Sequence, residues 1–240
     1  MSAPDIAFEH ETAFQLLLRL KPDELFLNSK LAALNPILAL LPGRCYEIDG
    51  DIGVGKTQIC YSLVAKFFET KKTAKIGWIS AIPMRTDHFS LHLSAQNEHE
   101  MERIVCKRAE NIKELCGALD RLAELMNVQL IVVEDVDALL HDTVYERESG
   151  RQTQTAVAEK LRKLTRNGAT VVITNHITHW RGFPAPALGI HWESQIAHRI
   201  YVEKLEDRPD VREISTLKQG STEPIRMQFR IGSRGLERAN

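Results

Sequence analysis

The sequence predicts an α/β fold: a central, mostly parallel sheet flanked by helices, with an antiparallel extension at the C-terminal end. Three observations carry that reading. Strand-length runs rich in Ile and Val alternate with helical patterns, a glycine-rich turn joins a strand to a helix, and the last third of the chain alternates with a period near two.

The elements follow in chain order. Residues 6–20 (IAFEHETAFQLLLRL) set Phe8, Ala13, Leu16, Leu17 and Leu20 near helical spacing until Lys21-Pro22 stops them. This predicts a short helical segment over 1–30 ahead of a core domain over 31–240. Pro36 and Pro42-Gly43 punctuate the approach to Cys45-Tyr46-Glu47-Ile48-Asp49, a short strand that runs into the glycine-rich turn, and a helix is expected from Thr57 to Phe68. Ala74–Ser80 (AKIGWIS), Val128–Glu134 (VQLIVVE) and Ala169–Thr174 (ATVVIT) are continuous enough in apolar residues to be strands buried on both faces. Helical patterns at 97–126 and 152–166 lie between them, and that alternation predicts parallel strands with crossover helices. His198–Leu205, Val211–Lys218 and Pro224–Ile231 then alternate, with turn residues at 207–210 and at Gly220-Ser221, which predicts three successive antiparallel strands.

Bulk properties set limits on function. A chain of 240 residues with 43% hydrophobic content suits one domain with a sizeable core. With 31 basic against 32 acidic residues it is no wholesale polycation, so a nucleic-acid contact would have to be a local patch. The spacings of Cys45, Cys60, Cys106 and Cys116 fit neither a zinc ribbon nor a small disulfide framework, which predicts buried free thiols. There is no signal-peptide pattern and no apolar run approaching about 20 residues, so a soluble intracellular protein with no membrane partner is expected.

The chemistry is concentrated in Gly50-Asp51-Ile52-Gly53-Val54-Gly55-Lys56-Thr57, a full match to the phosphate-loop pattern, placed after a strand and before a helix. Glycines let several N–H groups converge, the helix N-terminus adds partial positive charge, Lys56 can reach terminal phosphates, and the Thr57 hydroxyl can ligate magnesium. A carboxylate at the end of a neighbouring strand is expected to complete the magnesium shell. Glu134 and Asp135 both stand there, with Asp137 two positions on. Neighbours on a strand face opposite sides, so only one of Glu134 and Asp135 is expected to face the phosphates. The Asn-Lys-x-Asp motif of a GTPase is absent.

Gly55-Lys56-Thr57-Gln58-Ile59-Cys60 resembles the loop of the eukaryotic RecA-type recombinases and their paralogues. Val171–Asn175 with His176 resembles the strand whose polar tip senses the γ-phosphate. Pro186-Ala187-Leu188-Gly189 with Trp192, followed by His198-Arg199-Ile200, is similar to the D-type paralogue branch in particular. The resemblance covers roughly residues 30–235. It implies a RecA-like core, ATP and Mg2+ as cofactors, single-stranded DNA, and partnership with another paralogue and with the main recombinase in nuclear homologous recombination and replication-fork repair. It also implies two DNA-contacting loops, at 141–152 with Arg147 and Arg151, and at 177–195 with Trp180, Arg181 and Phe183. Arginine to phosphate and aromatic to base suit single-strand binding. The first loop also carries Glu146 and Glu148, which suits a plain solvated loop equally well.

The departures are informative. Where recombinases carry a catalytic glutamate beyond the second core strand, Ile79–Met84 offers no carboxylate and Ile82 takes its place, so weak or absent hydrolysis is expected and no catalytic residue is assigned. The family's magnesium aspartate aligns with Glu134. No Phe-x-x-Ala polymerisation element is present, and the N-terminal DNA-binding domain corresponds to a short helix, so no self-made filament is expected. The alternatives are an active DNA-dependent ATPase or motor, a scaffold with a vestigial phosphate loop, and a small-molecule phosphotransferase, for which no lid or acceptor pocket is found. Among the histidines, His176 is expected to sense phosphate, with His179 and His191 at the surface. The basic helix at 152–166 reads as a solvated amphipathic helix.

Overall fold

The computed structural model describes Leu27 and residues 29–92, 98–180, 183–217, 222–233 and 235–239. The expected helix at 6–20 lies outside the described residues, as do Arg181 and Gly220-Ser221.

The strands are β1 (Cys45–Gly50), β2 (Lys75–Ser80), β3 (Ile104–Arg108), β4 (Val128–Glu134), β5 (Thr170–Trp180), β6 (Phe183–Pro186), β7 (His198–Lys204), β8 (Val211–Leu217), β9 (Pro224–Gly232) and β10 (Gly235–Arg238). The helices are α1 (Asn35–Leu38), α2 (Lys56–Thr70), α3 (Thr86–Ser90), α4 (Ile112–Glu124), α5 (Val136–Leu140), α6 (Arg147–Arg166) and α7 (Gly189–Glu193). One sheet runs β10-β9-β8-β7-β1-β5-β4-β2-β3, with β6 paired to β5. From β3 to β7 the pairing is parallel, and from β7 to β10 it is antiparallel, which is the mostly parallel sheet with an antiparallel C-terminal extension expected from the sequence.

Strand alternation explains the two cores. On β1, β4 and β5, Ile48, Leu130, Val132 and Val172 point into one core with α2. Ile131, Val133, Val171 and Ile173 point into the other, with α4 and α6. Both faces of these strands are therefore dry, and that explains their continuous apolar runs. α2 is apolar nearly all round: Ile59, Cys60, Leu63, Val64, Phe67 and Phe68 are buried, so the helix that carries Lys56 and Thr57 is fixed in the core.

Three expectations need correction. The stretch 97–126 is not one helix, because Glu98–Arg103 is a 3-10 turn, β3 follows, and α4 begins only at Ile112, capped by the Asn111 side chain accepting from the Glu114 N–H. β3 is an edge strand, exposed from Val105 to Arg108 and held by pairing with β2, so it has no buried alternation to reveal it. The two expected loops are largely regular: α6 starts at Arg147, and β5 continues to Trp180 by pairing with β6. Buried Gln154 helps secure the first turns of α6, donating to Thr143 Oγ1 (3.0 Å) and to the Leu188 carbonyl (3.1 Å). All four cysteines are free, but only Cys60 is fully buried, and Cys106 is exposed on β3.

Candidate functional site

The site lies where β1, β4 and β5 end. Parallel register brings Gly50 opposite His176 on one side and Val202 on the other, and pairs Ser80 with Glu134. Such carboxyl edges are where α/β sheets collect ligands. Gly50 must be glycine, because a Cβ there would sit 2.3 Å from the Val202 carbonyl oxygen, and Gly55 turns the chain into α2 at φ +107°. The loop residues between them differ in role: Val54 is buried as an anchor, while Ile52 is 84% exposed at the crown. Asp51 is exposed, and His179 Nδ1 lies 3.9 Å from its carboxylate.

Lys56 is the first residue of α2, yet its side chain is buried beneath the loop, donating to the carbonyls of Gly50 (2.8 Å) and Asp51 (3.1 Å). Burial pulls its pKa down, and Asp135, Asp137, Asp49 and Asp51 oppose that pull. The Thr57 hydroxyl donates to Glu134 Oε1. Burial pushes the Glu134 carboxyl up, and the Thr57 hydrogen bond counteracts it. The Thr57–Glu134 pair fits the magnesium pairing that the resemblance implies, since a hydroxyl and a hard carboxylate oxygen meet at the head of the phosphate-loop helix. Gln58 is engaged elsewhere, its Oε1 lying 2.7 Å from His92 Nε2.

The strand alternation behind the expectation that only one acid faces this site ends at Glu134. β4 stops at Glu134, and Asp135 adopts a left-handed φ of 52°, so strand alternation no longer holds. The Asp135 N–H donates to Thr174 Oγ1 (2.8 Å). Asp135, Asp137 and His176 bring potential ligand atoms within 4.8 Å of one another, and His176 Nδ1 lies 2.9 Å from Asp137 Oδ2. Asp137 therefore fixes the imidazole that the sequence suggested as a phosphate sensor. A second cation escaped the sequence reading: Lys204 Nζ, at the end of β7, lies 3.7 Å from where a Cβ on Gly53 would be. Only the strand order, which sets β7 beside β1, could reveal it. Beyond β2, Ile82 is 65% exposed, and its carbonyl accepts from the Ser80 hydroxyl.

Of the suggested DNA contacts, Arg147 and Arg151 are described, and they lie apart from this constellation. Arg147 and Arg151 are exposed on the first turns of α6, beside exposed Glu146, Glu148 and Tyr145. Trp180 and Phe183 are paired in the β5–β6 ladder, and their side chains lie outside the described residues, as does Arg181. Farther along α6, Lys160 pairs with Asp120 (2.7 Å) and Arg162 with Glu159 (3.0 Å), while Val157, Leu161 and Leu164 enter the core. That is the amphipathic helix expected. His191 Nε2 lies 3.0 Å from Thr155 Oγ1 and 3.2 Å from the Arg151 carbonyl oxygen, which ties α7 to α6. Among the described residues no helix is long and apolar enough to cross a membrane.

No family model matches the chain. It is 55% identical over 241 residues to RAD51-like protein 1 of Caenorhabditis briggsae, covering 99% of each chain. The chain belongs to the RAD51-paralogue branch of the RecA-like family. RAD51-like protein 1 of Caenorhabditis elegans is 53% identical to it over 242 residues, again across 99% of each. At greater distance, this RAD51-family chain is 26% identical to the mouse DNA repair protein RAD51 homolog 4, over 78% of its own length and 63% of the mouse protein. It is also 26% identical to the DNA repair and recombination protein RadB of Methanococcus maripaludis, over 81% of its own length and 91% of that chain. Both of these names refer to DNA repair, and the second also to recombination.

Proposed function

We propose that this RAD51-family chain acts in homologous recombination and replication-fork repair by binding ATP with magnesium as a conformational ligand. Residues 31–240 work as one core. In the nucleus, the chain joins another recombinase paralogue and assists the main recombinase on single-stranded DNA. The observation that carries the reading is the contrast between a complete phosphate-binding set, Lys56 and Thr57 with Glu134, and the absence of a carboxylate at Ile82.

When bound, the nucleotide supplies a triphosphate whose terminal group distinguishes ATP from ADP. The chain's residues do the rest. Loop N–H groups and buried Lys56 would receive negative charge, Thr57 and Glu134 would hold the metal with Asp135 close by, and His176, set by Asp137, would read the terminal phosphate. Ordering β5 through His176 would transmit occupancy to the β5–β6 hairpin, in the way a γ-phosphate orders switch segments. One observation favours a second reading, a DNA-stimulated ATPase: the Asp137–His176 pair could orient water in place of a glutamate.

The test is to recover the chain with its bound paralogue from cells, as wild type and as Lys56→Ala, and to score ATP binding and repair together. The proposal expects Lys56→Ala to lose ATP, partner and repair function. Unchanged partner recovery and repair would make the loop vestigial and the chain a scaffold.

A further inference from the structure

Behind the phosphate loop, on the opposite face of β1, a cavity of about 330 Å³ opens between the β5–β6 hairpin and strands β7 and β8. Its floor is ionic. Arg199 donates from Nε to Asp49 Oδ2 (3.0 Å), pairs through Nη2 with Glu47 Oε2 (3.1 Å), and pairs through Nη1 with Glu193. Glu47 Oε1 accepts from Trp192 Nε1 (2.7 Å) and Asn175 Nδ2 (3.0 Å). One guanidinium thus faces three carboxylates, two of which are buried: Glu47 is 0% exposed and Asp49 1%. Asp49 lines the cavity, and its Oδ1 is buried with no hydrogen-bond partner. Arg226, at the far rim, does not compensate, since it is paired with Glu213 (2.6 Å) and lies near Glu203 (3.9 Å).

The walls are of a different kind. Ile177, Pro186 and Val202 are apolar, and the Tyr201 ring stands 39% exposed beside them. A buried carboxylate with an unpartnered oxygen, short of positive charge and lining a cavity that apolar side chains and an aromatic ring also line, matches a cation carried on an aliphatic stem. We propose that this cavity is a receptor for one arginine or lysine side chain of a partner polypeptide, with its charged head on Asp49 Oδ1 and its stem along Ile177 and Pro186. Burial, then the neighbouring Glu47, push the Asp49 carboxyl up to about 8, which is the direction expected where positive charge is deficient. The proposal is independent of nucleotide and DNA, so it can fail while the functional reading stands.

The built-in reporter is the Trp192 indole N–H, hydrogen-bonded within the same network, and buried Trp78 in the other core serves as reference. The full chain would be titrated at a pH above 8, where Asp49 is ionised, with acetyl-arginine amide and acetyl-lysine amide while the indole signals are followed by NMR, with acetyl-citrulline amide as the uncharged mimic. The expected result is a saturable millimolar shift of the Trp192 signal by the cationic residues alone, weakened on the order of tenfold or more in Asp49→Asn. No saturable shift, an equal response to citrulline, or undiminished binding by Asp49→Asn would overturn the proposal. Saturation by Mg2+ alone would overturn it in favour of a metal site. Binding of free arginine tenfold tighter than the blocked residue would overturn it in favour of a small metabolite. Should Asp49→Asn fail to fold, Arg226→Ala tests the same charge balance: removing the rim cation should tighten acetyl-arginine amide a few-fold, and unchanged or weaker binding counts against the site.

Discussion

The phosphate loop and the segments that follow β4 and β5 lie at the same carboxyl edge of the sheet, yet they hold their candidate residues in opposite ways. Lys56 is 6% exposed, with its ammonium group already fixed by two backbone carbonyls, whereas Arg147 and Arg151 stand in solvent beside acidic neighbours. The first arrangement is set by glycine geometry and by a helix locked in the core, so its chemistry is built before any ligand arrives. The second depends on whatever the exposed side chains meet. The proposed nucleotide contacts are therefore built into the fold, while the proposed DNA contacts would depend on what the exposed arginines meet.

Substitutions in the two regions are expected to differ in kind and in size. The largest effect is expected where the loop's strand is anchored. Arg199→Ala leaves Glu47 and Asp49 buried without their cation and should cost about 3–5 kcal/mol of stability, read by chemical denaturation. Lys56→Ala should leave stability nearly intact and weaken ATP binding on the order of 100-fold, about 3 kcal/mol, by equilibrium titration. Asp137→Asn should cost about 1 kcal/mol of the preference for ATP over ADP by loosening the His176 imidazole, with ADP affinity little changed. The weakest effect is expected from Arg147→Ala with Arg151→Ala: a few-fold change in single-strand affinity and a shallower salt dependence by roughly one to two counterions.

The anchoring network also sets a pH response. Asp49 is held protonated up to about 8 by burial and by Glu47, against an ordinary value of 3.8. The folded chain keeps a proton that the unfolded chain releases, so the contribution from this group to stability is full below the ordinary value and is lost as pH rises through about 8. Asp49→Asn should flatten that slope, measured as denaturation midpoints across the same range.

Much of this was legible in the sequence, for identifiable reasons. Leu130–Val133 and Val171–Ile173 read as doubly buried strands because both faces meet a core, and the β7–β9 meander announced itself by alternation. The phosphate loop was legible because each glycine, the lysine and the threonine answers a local backbone demand. β3 was hidden because an edge strand borrows its stability from β2. The placement of Asp135 was hidden because a left-handed residue at a strand end breaks the alternation on which side-chain direction is read. Lys204 beside Gly53 and Arg199 beneath Asp49 depend on β7 lying next to β1, a pairing across about 150 residues that no local pattern encodes.

In the proposed function ATP is held by Lys56, Thr57 and Glu134, while Ile82 leaves attacking water without a glutamate. The most direct test is to load the purified chain, alone and with any recombinase paralogue that co-purifies with it, with radiolabelled ATP and magnesium and to follow the label with and without single-stranded DNA. The expected result is stoichiometric, Lys56-dependent binding, with the label recovered as intact ATP under both conditions. DNA-stimulated release of phosphate, abolished by Lys56→Ala, would contradict it and make His176 with Asp137 the groups to test for water activation.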